Sequence, residues 1–389
     1  MKVLYVHHSP GTGGASNSLK FLISGLKSKN IDIHIICPPG KVFENFLELT
    51  PNVYEIEGLP LLMATSGTNF ALIRALQSYR YIGQLKKVYD LARKIKPDII
   101  HLNDVGQLIL AKKLKKLGFK VVMHARVAIN TNYRVLTKYS VYIINKYIDH
   151  VFAIDGSVIN KLKGVKRISL VYNPLQSNAQ TLKKSNLGPV INCLFLANFL
   201  KHKGISVLIK TIIQLKENKN ILFYVAGSNV RPKSFYKSLF GKLLHYFNIY
   251  PNYEKILKKI KLKYNLNNLV LLGQVSDINT VLSKTDIILL PTFMNEPSRS
   301  IFEAGSLGIP SIIALKDKVE DVVEDNYNGI IIDENSHNQL TNAILKLSSD
   351  KDLRFKMGVN CFKRFNNLNN LETSATSVFG TYSNIMNNL

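Results

Sequence analysis

Hydrophobic positions along this chain fall into short β-branched runs, each followed by a longer stretch whose apolar residues recur every three or four places. In the first half the runs are Val3–Val6, Asp32–Cys37, Ile99–Leu102, Lys120–Met123, Val151–Ile154 and Ser169–Val171. Short apolar runs of this kind read as buried strands. Helical spacing covers Ser16–Lys29, Phe70–Lys96, Gln107–Leu117 and Lys138–Ile148. Strands alternating with helices of this length imply right-handed βαβ crossovers and a parallel sheet.

A polar, turn-rich break falls between 175 and 190, and the pattern then restarts. Strands are expected at Cys193–Leu196, Ile221–Ala226, Val270–Leu272, Ile287–Leu290, Ser311–Ala314 and Ile330–Ile332, with helices near 204–217, 253–264, 278–284, 300–307 and 337–349. The expectation is an α/β protein of two Rossmann-like, doubly wound parallel-sheet domains facing a central cleft. The first spans 1–184 and the second 185–371, and the final stretch, roughly 351–389, is polar and helical in pattern. No internal repeat or low-complexity tract interrupts the pattern.

Composition narrows the class. At 389 residues the chain exceeds one ordinary domain, and 46% hydrophobic residues suffice for sizeable cores. Cys37, Cys193 and Cys361 lie far apart, in neither a metal-ligand spacing nor a disulfide framework, which suits a reducing compartment. The opening MKVLYVHHSPG reads as a first strand rather than a signal peptide, and no run approaches a membrane span. A cytoplasmic location is expected.

Charge adds a second theme. The net charge is +25, and residues 1–184 hold 27 basic and 10 acidic side chains against 24 and 16 in the remainder. Such a surface attracts polyanions, although a Lys/Asn/Ile-rich composition bias gives the same number. No nucleic-acid module signature is present, so nucleic acid is not an expected partner. Basic amphipathic stretches at 107–120, 134–148 and 231–253 are candidates for peripheral docking on an anionic membrane surface, or ordinary surface helices.

In open parallel sheets, ligands gather beyond the carboxyl ends of strands. After the first strand comes HHSPGTGGAS, whose Gly13 and Gly14 allow close backbone approach of a phosphate or sugar, or simply make a turn. HLND at 101–104 and MHAR at 123–126 place histidines at strand ends, where each is a hydrogen-bonding group or a satisfied core residue. ANFLKHKG at 197–204 puts Lys201 and Lys203 before Gly204 and a helix, a phosphate-binding arrangement or a solvated basic turn. The segment 289–314 carries Glu296 and Arg299 in a loop, a helix starting near Ser300 with Glu303 in its first turn, and a stop at Gly308-Ile-Pro310. A carboxylate there suits two ribose hydroxyls, or merely complements the helix dipole, while the free N–H groups of the helix start suit a diphosphate.

Taken in order, these segments resemble the retaining glycosyltransferases of family 4, also called glycosyltransferase group 1, of the GT-B fold. The resemblance runs along almost the whole chain, through KPDIIHLND at 96–104, LVYNP at 170–174, YVAGS at 224–228, DIILLPT at 286–292, EAGSLGIPSI at 303–312 and VVEDNYNGIII at 322–332. It implies that Glu303 holds the donor ribose, Glu296 lies near the transferred sugar, Lys203 contacts the donor diphosphate, Gly13 and Gly14 face donor phosphates and acceptor, and His124 is the cleft histidine. Two departures stand out. Glu296 and Glu303 are separated by six residues where the family has seven, which leaves Asn295 as the other occupant of the first position. Asn198 stands where an arginine is common, weakening the diphosphate clamp unless Arg299, Lys201 or Arg126 compensates.

The resemblance further implies a last helix at about 372–389 packing back on the first domain, a nucleotide-diphosphate-sugar donor, a glycolipid or polysaccharide-precursor acceptor, and front-face transfer without a covalent enzyme intermediate. No Asp-x-Asp occurs in the strand-end loops, so neither metal nor other cofactor is expected. A nucleotide-sugar epimerase, a degenerate transferase and a non-enzymatic polyanion-binding protein remain the alternatives.

Overall fold

The protein is seen in a computed structural model that describes residues 1–61, 78–127, 129, 134–175, 182, 188–275, 277–293, 298–314 and 321–387. The chain divides into two compact units: Met1–Asn178 with Leu368–Leu389, and Ala179–Asn367. These borders lie a few residues ahead of the expected 184 and 371.

Unit 1 contains the strands β1 (Lys2–Val6), β2 (Asp32–Cys37), β3 (Val53–Glu55), β4 (Ile99–Leu102), β5 (Lys120–Ala125), β6 (His150–Ala153) and β7 (Ile168–Leu170). They form one sheet in the order β3-β2-β1-β4-β5-β6-β7, with every neighbouring pair parallel. Its helices are α1 (Gly14–Leu26), α2 (Lys41–Leu47), α3 (Gln84–Ile95), α4 (Leu108–Lys116), α5 (Arg134–Tyr147) and α6 (Gly156–Lys161). The helix expected over Phe70–Lys96 is observed as α3, and residues 70–77 of that expectation lie outside the described residues. Strand residues alternate between two cores. Leu4, Val6, Ile100 and Met123 pack with Val88, Leu114 and Ile144 on one face. Val3, Tyr5, Ile99 and Val122 pack with Leu19, Leu22 and Phe46 on the other.

That second core also contains Ala375, Val378 and Tyr382. They belong to the chain's last helix, which crosses α1 so closely that a Cβ on Gly25 would lie 2.9 Å from the Ala375 Cβ. Lys29 pairs with Glu372 at 2.5 Å at the same crossing. Burying a Val- or Tyr-sized side chain contributes roughly 1.5–3 kcal/mol, so this helix is a substantial part of unit 1's stability.

Unit 2 contains β8 (Ile191–Leu196), β9 (Ile221–Ala226), β10 (Leu269–Gly273), β11 (Ile287–Leu290), β12 (Ser311–Ala314) and β13 (Gly329–Ile332), in the order β10-β9-β8-β11-β12-β13, again all parallel. Its helices are α7 (Ile205–Gln214), α8 (Lys233–Lys237), α9 (Leu239–Tyr246), α10 (Tyr253–Lys263), α11 (Ile278–Leu282), α12 (Arg299–Ser306), α13 (His337–Ser349) and α14 (Lys351–Leu368); α15 (Leu371–Asn387) is the closing helix of unit 1. The core gathers Phe195, Phe223 and Leu289 from the sheet with Leu208, Leu257, Leu340 and Met357 from the helices.

Candidate active site

In each unit the strand order reverses direction once at the centre of the sheet. Such a switch point leaves an open crevice at the carboxyl ends of the two central strands. In unit 2 these strands are β8 and β11, adjacent and parallel. After β8 the chain passes exposed Asn198 and makes a one-turn 3-10 helix at Lys201–Lys203. After β11 it enters Pro291, Thr292 and Phe293.

These two loops are locked together through backbone atoms. The Thr292 hydroxyl and the Phe293 N–H both donate to the His202 carbonyl, each at 2.8 Å. Gly204 follows with φ +80°, where a Cβ would lie 1.8 Å from the Pro291 carbonyl oxygen. Only glycine fits both the left-handed backbone and that approach. The sequence K-G at 203–204 therefore holds half-buried Lys203 in the loop past the carboxyl end of β8, beside the loop that leaves β11.

Helix α12 begins at Arg299, one residue earlier than expected, which moves Glu303 from the first turn to the second. Ser298 at the N-cap makes no side-chain capping bond; its hydroxyl instead meets the Ser300 hydroxyl at 2.6 Å. Arg299 Nε donates to Glu303 Oε1 at 2.8 Å, an i,i+4 pair with both side chains mostly buried. Burial raises the Glu303 pKa above its ordinary value, and the Arg299 charge opposes that rise. The same burial lowers the pKa of Arg299. The fork expected to reach a phosphate is thus engaged with the carboxylate, which it orients. Ile301, Phe302 and Ala304 anchor the helix in the core, and Gly305 admits the Phe365 ring where a Cβ would lie 2.0 Å away.

Unit 1 has its switch point between β1 and β4. A continuous hydrogen-bonded chain of side chains crosses it. Asn103, just past β4, donates from Nδ2 to His7 Nδ1 at 2.9 Å. That fixes His7 as the Nε2–H tautomer, which donates to Ser16 Oγ at 2.9 Å, and Ser16 donates to the Gly11 carbonyl at 2.6 Å. On the other side Arg126 Nε donates to Asn103 Oδ1 at 2.6 Å, and its Nη1 donates to Asn173 Oδ1 at 2.5 Å. Burial first, then the His8 and Arg126 charges, push the His7 pKa down to about 3, so it stays neutral at working pH. The network ties the glycine loop after β1 to the ends of β4, β5 and β7. Gly13 is the N-cap of α1 and Gly14 its first residue, both exposed, and among the described residues a Cβ placed on Gly11 or Gly13 meets nothing within 4 Å beyond its chain neighbours.

His124 is not part of that ring. It lies within β5 with no exposed surface, stacked on His101 with centroids 5.4 Å apart and beside Phe152 at 5.5 Å. His101 in turn bonds to the Tyr382 hydroxyl. Burial, then the Arg126 charge, hold the His124 pKa well below the ordinary range. The histidine expected in a cleft is thus enclosed within unit 1, and Arg126 follows two positions on, just past the strand end. Arg126 and Asn173 lay within the quoted motifs MHAR and LVYNP, but nothing in sequence spacing joined them to His7.

Among the expected site residues, unit 2 carries Asn198 and Lys203 after β8, and Arg299, Ser300 and Glu303 on α12, the helix that follows the adjacent strand β11. Gly13 and Gly14 stand at the crevice of unit 1. Glu296 and its rival Asn295 lie outside the described residues. Among the described residues, no group of three His, Cys, Asp or Glu side chains is placed to hold a metal ion.

Two doubly wound parallel-sheet units, each with one central switch point, make up the two-domain architecture of the GT-B type. Comparison with known proteins agrees. Residues 12–177 match the profile of Glycosyltransferase Family 4, and residues 181–364 that of Glycosyl transferases group 1. The Escherichia coli UDP-Gal:alpha-D-GlcNAc-diphosphoundecaprenol alpha-1,3-galactosyltransferase is 24% identical over 379 residues, covering 93% of this chain and 91% of that protein. An uncharacterized glycosyltransferase of Methanocaldococcus jannaschii is 24% identical over 85% of this chain and 79% of its own length. In fold, the UDP complex of Anabaena HepE superposes with a TM-score of 0.76 over 99% of this chain and 100% of that one, at 17% identity. The chain belongs to the group 1 glycosyltransferases, and it is an enzyme of that family.

Proposed function

We propose that the enzyme transfers a hexosyl group, with retention of configuration, from a UDP-sugar to a lipid-diphosphate-linked sugar at the cytoplasmic face of a membrane. The observation that carries this reading is the unit 2 crevice, where the Lys203 loop is bonded through the His202 carbonyl to the loop leading into α12. On that helix the Arg299–Glu303 pair presents an oriented carboxylate. The carboxylate accepts from the two ribose hydroxyls. The start of α12, where Ser298 makes no side-chain capping bond, and Lys203 take the diphosphate. A uridine donor is favoured because the Escherichia coli relative is named for UDP-Gal and a solved HepE complex holds UDP-glucose. The lipid-linked acceptor follows from the same relative's name and from the net charge of +25.

In the reaction, the bond from the anomeric carbon to the donor phosphate oxygen breaks, and its electron pair goes to the diphosphate. The acceptor hydroxyl bonds to the same face of that carbon, and its proton passes to the departing phosphate. The protein's part is to stabilise charge on the leaving diphosphate before water can enter. Glu296 is assigned to the transferred sugar; His124 is given no part.

Calorimetry with UDP, GDP and ADP tests the site, with UDP expected to bind and the other two to bind more weakly. Absence of binding by all three sinks the reading. Product analysis by NMR should find the anomeric configuration of the donor preserved. Transfer is expected to survive dialysis against a chelator, and loss of turnover restored by a divalent ion would refute metal independence.

A further inference from the structure

Between β9 and α10 the chain inserts the helical hairpin α8–α9. It is firmly held at its base: Asn229 Nδ2 donates to Asn252 Oδ1 at 2.9 Å, and the Tyr253 N–H donates to Asn229 Oδ1 at 3.1 Å. Arg231 lies over the rings of Phe235 and Tyr250, at 5.4 and 5.0 Å from their centroids. Ser238 caps α9 by accepting from the Gly241 N–H at 3.0 Å. At Gly241 a Cβ would lie 1.9 Å from the Phe235 carbonyl oxygen, so the two helices meet backbone to backbone.

The amphipathicity of α9 is inverted relative to a core-facing helix. Gly241, Leu244 and His245 turn toward the body. Leu239, Phe240, Leu243, Tyr246 and Phe247 point away, with relative exposures of 84, 65, 53, 82 and 61%. At 100° per residue these five occupy an arc of roughly 120° on one side of the helix. The flanks are cationic: Lys233, Lys237 and Lys242 are exposed, and no carboxylate occurs between Glu217 and Glu254.

We propose that α8–α9 is the element by which unit 2 seats on an anionic lipid bilayer, with α9 lying in the interfacial plane. This rests on the membrane-presented acceptor proposed above and names the surface that meets the membrane. An apolar stripe with basic flanks and no acidic residue suits acyl chains beneath anionic headgroups, and Tyr246 suits the headgroup level. A second copy of the chain fits poorly, because two like-charged faces would have to meet across a twofold axis. A nucleic acid leaves Leu239 and Leu243 without a role.

The test is flotation of the full chain with phosphatidylcholine vesicles, with and without phosphatidylglycerol. UDP binding and melting temperature are measured on the same preparations. Wild type is expected to float with the anionic vesicles. F240S/F247S should lose about a hundredfold in partitioning. K237Q/K242Q should lose about 25-fold, on anionic vesicles only. UDP affinity and melting temperature should stay at wild-type values in both, since these side chains are exposed. Y139S/Y142S on α5, whose tyrosines are also exposed, should float as wild type does. The proposal is overturned if wild type stays at the bottom, if the hairpin variants float normally, or if F240S/F247S instead splits a dimer. Retained transfer to a soluble acceptor analogue without flotation would sink the docking alone. Flotation without UDP binding would sink the donor-site reading alone.

Discussion

Replacing Glu303 by glutamine removes one charge and almost no volume, so it isolates what the carboxylate does. Among the described residues it accepts a bond from Arg299 at 2.8 Å, in a mostly buried position that disfavours its charge. If it also receives two ribose hydroxyls, the variant exchanges two charge-assisted hydrogen bonds for neutral ones. Bonds to a charged group contribute about 1.5–3 kcal/mol each and neutral ones about 1, so the loss is about 1–4 kcal/mol, or roughly 5- to 1000-fold in Kd for UDP. The pH dependence gives a sharper signature. Binding that needs the carboxylate is full above its pKa in the free protein and is lost as pH falls through it. That pKa is raised above 4.5, so affinity should weaken at a higher pH than an exposed glutamate would give. Arg299→Met removes the group opposing the rise and should move the loss to still higher pH. Calorimetric titration of UDP over a pH series reads both effects. Equal wild-type and E303Q affinities at every pH would refute the assignment of this carboxylate to the donor.

Three further outcomes follow from the packing. Gly204→Ala combines a left-handed residue with a Cβ 1.8 Å from the Pro291 oxygen. It should cost about 2–5 kcal/mol in unit 2 and weaken UDP binding, read by calorimetric melting and titration. Gly25→Val pushes on Ala375 and Leu371, whose nearest atoms are 2.9 and 3.1 Å from a Cβ there, and should loosen α15, detected as faster hydrogen exchange in 371–387. Arg126→Met leaves the Asn103 and Asn173 carbonyl oxygens without their guanidinium donor and should destabilise unit 1 by about 2–4 kcal/mol, measured by urea unfolding. An unchanged midpoint would show that the network contributes little.

Much of the fold was legible where strands are buried on both faces. Asp32–Cys37, Ile99–Leu102, Ile221–Ala226, Ile287–Leu290 and Ser311–Ala314 begin and end where the apolar runs do. Elements too short to show a period went unread: β3 has three residues, α2 seven and α6 six. The unit 2 crevice was legible because its parts are local signals, a lysine before a left-handed glycine and a helix start after a buried strand. The unit 1 network was not, because its single bonds span up to 96 positions. The burial of His124 was hidden for a related reason. The layer that encloses it includes His101, bonded to Tyr382 from the far end of the chain, and strand-end position alone says nothing about that cover.

The return of α15 to unit 1 has a consequence for synthesis. Unit 2 is one uninterrupted stretch and can complete itself as soon as it leaves the ribosome. Unit 1 begins first yet lacks Ala375, Val378 and Tyr382 until all of unit 2 has been translated. The nascent amino-terminal half must therefore wait with one side of its sheet partly uncovered, and a premature stop shortly before 371 would orphan that half while sparing its downstream partner.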